Sequence, residues 1–197
     1  MKKILFLDGN LISNEKSYSW HIMNKFHEIA KNSNKYEISR FDLNKTKHGE
    51  IFLTKDTFPY YYDKVESDFW INKLKETDIL VISCSMINFA AAPVVKNFVD
   101  SIAVANKTFS YKYSAKGDAI GLLTNINVII LGTQGAPKGW YPFSSHIEWL
   151  KGTFKFLGAK SVEAIEILGT KVPPISQIDP DSVSDAILEK FSELINK

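Results

Sequence analysis

The stretch from residue 79 to residue 100 constrains the fold of this chain more than any other. It opens Ile-Leu-Val-Ile, a β-branched apolar run without alternation, as a strand buried on both faces requires. It closes on a helical pattern: Pro93 suits a first helical turn, and Val94, Val95, Phe98 and Val99 share one apolar face. Between the two, the sequence predicts a loop over residues 83–92 carrying Met86, Ile87, Asn88 and Phe89. A loop that leaves the carboxyl end of a strand and feeds a helix is where open α/β sheets place their ligands. An ordinary connection would also satisfy the pattern, but soft, flat and amide-bearing groups there suit a flat ring with a polar edge.

The rest of the chain repeats the unit. Residues 3–7 predict a first buried strand, followed by a polar loop and a helix entered at Ser17-Tyr18-Ser19, with Trp20, Met23, Phe26, Ile29 and Ala30 on one face. Residues 35–41 alternate as a second strand. Residues 44–67 have no clear period, and Tyr60-Tyr61-Tyr62 within them reads as core packing. A short helix over 69–75 leads into the central strand. Beyond the central helix, residues 108–111 alternate briefly and Lys116-Gly117-Asp118 marks a turn. Residues 127–131 predict a fourth strand, and a glycine-bearing loop, Gly132-Thr133-Gln134-Gly135-Ala136-Pro137-Lys138-Gly139, follows it. A helix over 143–157 is closed by Gly158, in a position that suits a left-handed cap. Residues 161–168 form a fifth strand. A terminal amphipathic helix over 179–196 has Pro180 at its start and Val183, Ile187, Leu188, Phe191 and Leu194 inward. Strands and helices alternating in this way predict one domain over residues 1–197. Its expected core is a doubly wound, five-stranded parallel sheet in the flavodoxin-like order, with helices on both faces.

Composition narrows the function. A net charge of +2 is too small to argue for a nucleic acid or a membrane surface as partner. Arg40 is the single arginine, and base readout and phosphate clamping both favour that side chain. Cys84 is the single cysteine, which rules out an intrachain disulfide and suits a reducing compartment. The apolar run at the amino terminus stops at Asp8, too short for a signal peptide, and no run reaches the length of a membrane span. A cytoplasmic protein is expected.

No side-chain set suggests metal or nucleophilic chemistry. His21 and His27 are six apart, not the four that would align them on a helix, and His146 beside Glu148 reads as a surface or capping residue. There is no G-x-S-x-G elbow, and Cys84 reads as a buried thiol. What remains is three loops at the carboxyl ends of strands one, three and four. Asn10, Ser13, Ser17 and Ser19 make the first rich in hydroxyl and amide groups. It stands at a helix amino terminus that could hold a phosphate, although Ser17 and Ser19 also read as plain helix caps. A flavin mononucleotide (FMN) fits that division, with its phosphate at the first loop and its ring between the other two. Such a cofactor would carry the hydride chemistry itself.

At these residues the chain resembles the FMN-dependent NADH azoreductases, flavodoxin-like quinone reductases. Met86-Ile87-Asn88-Phe89 resembles that family's M-x-N-F loop, Lys107-Thr108-Phe109-Ser110-Tyr111 its K-T-F-x-Y segment, and Gly121-Leu122-Leu123-Thr124 its G-L-[LV]-T. The resemblance implies a homodimer with FMN at the subunit interface, NADH (or NADPH) as donor, and a quinone or aromatic azo compound as acceptor in a ping-pong cycle. It implies phosphate contacts from Ser17 and Ser19, ring contacts from residues 86–89, and pyrimidine-edge contacts from Thr133, Gln134 and Gly135. Phe109 and Tyr111 would approach the acceptor across the interface. No residue is implied as a catalytic acid or base. Asp8-Gly9-Asn10 departs from the family's serine pair, and Gln134 stands where its arginine would be. A free-flavin reductase and a flavodoxin-like electron carrier are the competing readings.

Overall fold

A computed structural model describes residues 1–113, 118–182 and 185–197. Five long strands, β1 (Lys2–Asp8), β2 (Tyr36–Asp42), β3 (Ile79–Ile87), β7 (Asn127–Gln134) and β8 (Ser161–Leu168), form one parallel sheet. Their order is β2-β1-β3-β7-β8, the doubly wound order expected from the sequence. Three two-residue strands complete the set among the described residues. β4 (Ala90–Ala91) turns back on β3, and β5 (Phe109–Ser110) pairs antiparallel with β6 (Ile120–Gly121).

The strand alternation divides the core cleanly. Leu5, Leu7, Leu80, Ile82, Val128 and Ile130 point to one face, where α3 (Ser67–Lys75), α4 (Pro93–Ile102) and α5 (His146–Phe156) cover them with Trp70, Ile71, Phe98, Leu150 and Phe154. Ile4, Phe6, Val81, Ile129, Leu131 and Ile165 point to the other, under α1 (Tyr18–Asn32) and α6 (Asp185–Asn196). There Phe26 and Phe191 stack with ring centroids 4.0 Å apart.

Several boundaries differ from the sequence reading. The predicted loop over 83–92 is mostly strand. β3 runs on to Ile87 because the Ser83 and Ser85 hydroxyls find partners, Gly9 N–H at 3.0 Å and Thr133 Oγ1 at 2.9 Å. Thr133 and Gln134 likewise belong to β7, not to the loop after it. Residues around Pro180, expected to open the final helix, form a turn instead, with Ser182 N–H donating to Asp179 O at 2.8 Å, and Asp185–Asn196 is helical. The predicted turn at Lys116-Gly117 and the inward Val183 lie outside the described residues. In α1, Ile22 is buried and Trp20 is only half-buried. The helix expected from 143 begins at His146, leaving Phe143 exposed, and His146 is buried, not a surface residue. Of the three tyrosines, Tyr61 in the short α2 (Tyr61–Lys64) is fully buried and donates to Asn97 Oδ1 at 2.6 Å, while Tyr60 is exposed.

Candidate active site at the strand ends

The sheet reverses its winding between β1 and β3, and a crevice opens there at the carboxyl ends of the strands. It is a cleft of about 320 Å³. Ser17 and Ser19 from the first loop and helix, Met86 and Ile87 from β3, and Thr133, Gln134 and Gly135 from β7 all line it. Leu11, Ile12, Lys16, Tyr18, Ser85, Thr170 and Lys171 complete the lining. Two lysines and no carboxylate are in that set, so the cleft favours an anionic ligand.

The hydroxyl end is built by the start of α1. Ser17 caps the helix, its Oγ accepting from Trp20 N–H at 3.3 Å, and lies 3.2 Å from Ser19 Oγ. Among the described residues the Tyr18 and Ser19 amides have no acceptor in the chain, as expected of a first helical turn. Free N–H groups and the helix dipole therefore face the same cleft as two hydroxyls. The Tyr18 hydroxyl donates to the carbonyls of Ile175 and Ile178, tying this helix end to the segment after β8.

Asn10 sits beneath the cleft rather than on its wall. It is buried, its Oδ1 accepts from Ser85 Oγ at 3.2 Å, and Ser85 is joined to Thr133, so one polar chain links the ends of β1, β3 and β7. The Asp8 departure is neutralised within the sheet: Arg40 Nε and Nη2 donate to its two oxygens at 2.7 and 3.0 Å. A carboxylate held this way presents little repulsion to an anion nearby. Gly9 is required by close approach, since a Cβ there would lie 2.4 Å from Ser83 O and 2.2 Å from Val95 Cγ2.

Asn88 and Phe89 stand apart from the first cleft. Both have positive φ, 45° and 70°, the pattern of a tight two-residue hairpin joining β3 to β4. The Phe89 ring meets Tyr141 at 4.9 Å and Phe143 at 5.3 Å, and the Ser144 hydroxyl donates to Phe89 O. Phe89 lines a second, largely apolar cleft of about 300 Å³ with Lys96, Phe143, His146 and Trp149. Phe109 and Tyr111 line neither cleft; they pack edge-to-face on each other at 5.6 Å, and Phe109 also meets Phe156.

Gln134 lines the cleft but spends its amide locally, donating to Ala136 O at 2.8 Å and Pro137 O at 3.1 Å. Cys84 is buried, and burial pushes its thiol up to about 12, which leaves no thiolate for chemistry. His146 is likewise pushed down by burial, and its Nε2 has no hydrogen-bond partner. Among the described residues no cluster of His, Cys, Asp and Glu could hold a metal. Sequence reasoning missed Lys16, Thr170 and Lys171. The last two follow the strand paired with β7, and that adjacency is the signal that could have found them.

This fold and cleft define the class: the chain belongs to the flavodoxin-like fold family, whose model matches residues 2–191. Among curated proteins, an FMN-dependent NADH:quinone oxidoreductase of Mycoplasmopsis synoviae (strain 53) is 53% identical over 184 residues, 93% of this chain and 92% of that protein. One of Metamycoplasma arthritidis (strain 158L3-1) is 44% identical over 198 residues, covering 100% of this chain and 98% of its own. An azoreductase structure from Bacillus anthracis str. Sterne has a TM-score of 0.77 at 20% identity, covering 100% of this chain and 98% of that one. An FMN-dependent NADH-azoreductase from Bacillus anthracis str. Ames Ancestor, solved in complex with FMN, has a TM-score of 0.76 at 21% identity, covering 98% and 99%. At those identities the structural likeness is one of fold.

Proposed function

We propose that this protein is an FMN-dependent NADH:quinone oxidoreductase that also reduces aromatic azo compounds. The observation that carries the proposal is the gathering of Ser17, Ser19, Met86, Ile87, Thr133, Gln134 and Gly135 around one carboxylate-free cleft. The name borne by a relative 53% identical over nearly its whole length supports the same function. The donor set fits FMN: hydroxyls and free helix amides for a phosphate at one end, and strand-end side chains and backbone for a flat ring at the other.

Bound FMN would accept hydride from NADH and pass the electrons to the second substrate. The protein's part is to bind and orient. Ser17 and Ser19 would hold the phosphate, with Asn10 fixing the loop beneath. Met86 and Ile87 would lie along the ring, and the Asn88–Phe89 turn shapes the second, aromatic cleft, which would receive the acceptor. Thr133, Gln134 and Gly135 would face the pyrimidine edge, with the Gln134 side-chain amide engaged in its own loop. No side chain need donate or remove a proton from carbon, in keeping with a buried, un-ionised Cys84.

The chain acts as one domain and as a cytoplasmic homodimer with its sites at the interface, where Phe109 and Tyr111 approach the partner's acceptor site. Exposed aromatics beside the second cleft, Phe89, Trp140 and Phe143, support a covered face. Among the described residues no helix is long and apolar enough to cross a membrane. The test is the visible spectrum of protein loaded with FMN, taken before and after anaerobic NADH. Flavin bands that bleach with NADH and return with a quinone are expected. FMN retained through gel filtration separates a bound cofactor from a flavin substrate, and steady NADH turnover with a quinone excludes a mere carrier. A protein that cannot be loaded with FMN refutes the proposal.

A further inference from the structure

Lys171 reaches the cleft from the segment after β8, and its position is fixed by backbone pairing rather than by chance on a surface. Lys171 N–H donates to Gly135 O at 3.0 Å, Thr170 N–H to Gln134 O at 3.1 Å, and Gly169 N–H to Ala136 O at 2.8 Å. This short zipper lays the lysine stem across Gly135. A Cβ on that glycine would lie 3.2 Å from both Lys171 Cγ and Cδ, so the stem packs closely over the bare glycine. Among the described residues the Lys171 ammonium has neither an ion pair nor a hydrogen bond, whereas Lys138 in the neighbouring loop pairs with Glu166 at 3.5 Å. The remaining lysine of the cleft, Lys16, lies in the hydroxyl loop directly before Ser17. The two cations thus serve different parts of the cleft, one beside Ser17 and one beside Gly135.

We propose that Lys171 is the cation that meets the charge formed on the flavin ring during turnover, which rests on the FMN function proposed above. A hydride from NADH carries two electrons and one proton, so the neutral ring gains one negative charge while the nicotinamide becomes the oxidised cation. That negative charge gathers on the pyrimidine side, the part assigned to Thr133, Gln134 and Gly135. Gln134 is neutral and its amide is engaged in its own loop, which leaves Lys171 as the positive group beside Gly135. A charge that attracts the reduced ring more than the oxidised one raises the reduction potential without tightening the binding of oxidised FMN.

The experiment compares FMN-loaded wild type with Lys171→Gln and Lys171→Arg. Midpoint potentials are read by anaerobic dye equilibration, and dissociation constants for oxidised FMN and for riboflavin by fluorescence quenching. In Lys171→Gln the reduced flavin is expected to lose about tenfold in affinity relative to the oxidised, a fall of about 30 mV for a two-electron couple. Oxidised FMN affinity should hold within about twofold, as expected for a term confined to the charged state. Lys171→Arg should restore most of the potential. An unchanged potential in Lys171→Gln overturns the proposal. So does a loss of FMN affinity with riboflavin unaffected, which would make Lys171 a phosphate ligand. Wild type that takes up no flavin overturns the parent function together with this one.

Discussion

Ser19 offers the cleanest probe of the phosphate end of the cleft. Its hydroxyl is buried and has one partner, Ser17 Oγ at 3.2 Å, so Ser19→Ala removes a group that supports little else. A hydrogen bond to a charged acceptor contributes about 1.5–3 kcal/mol, so FMN affinity should fall roughly ten- to one-hundred-fold. Riboflavin has the same ring and no phosphate, and its affinity should stay within about twofold, since the lost bond is not one it makes. Ser17→Ala should show the same selectivity and, because Ser17 Oγ also caps α1, a further loss of about 1 kcal/mol in fold stability. Flavin fluorescence quenching gives both dissociation constants on one protein preparation. Equal losses for FMN and riboflavin in Ser19→Ala would refute the assignment, because the hydroxyl would then act on ring binding or on loop structure.

Other expectations follow from the packing. Gly9→Ala should lower both stability and FMN uptake, since its methyl would meet the fixed Ser83 carbonyl; thermal melts that match wild type would contradict the close approach. His48 is fully buried, its Nε2 2.9 Å from Ser101 Oγ, and burial lowers its pKa from 6.5 to about 4. The unfolded chain therefore binds this proton first as pH falls, so stability is full above pH 6.5 and declines between 6.5 and about 4, by about 3 kcal/mol. Urea unfolding of wild type and His48→Gln across that range should show the extra slope in wild type alone. Cys84 should resist alkylation in the native protein at pH 8 and react once unfolded, and NADH turnover should survive the reagent; rapid native labelling would contradict its burial.

The sheet was legible because its signals are local. The three inner strands carry unbroken apolar runs, the edge strands β2 and β8 alternate, and the long helices announce themselves by period. The site was legible in part for the same reason: residues 17–19, 86–87 and 133–135 follow or end those strands, and doubly wound topology brings strand ends together. Where sequence reasoning strayed, a polar residue was satisfied by a distant partner. Ser83 and Ser85 look like loop residues until Gly9 and Thr133 are placed beside them. Asp8, at the departure from the family's serine pair, is held by Arg40 from 32 positions away. Lys171 had no motif at all, and only the pairing of β7 with β8 brings it to Gly135.

The turn at Asn88–Phe89 sets two requirements on the same residues. A left-handed backbone is natural for asparagine but costs a phenylalanine on the order of 1 kcal/mol, and glycine at 89 would remove that strain. It would also remove the ring that rests on Tyr141 and Phe143. The chain therefore holds an aromatic plate on a turn that its own main chain resists. Among variants selected only for heat resistance, position 89 should drift toward glycine or asparagine. Variants selected for electron transfer to flat acceptors should keep the ring and leave the strain in place.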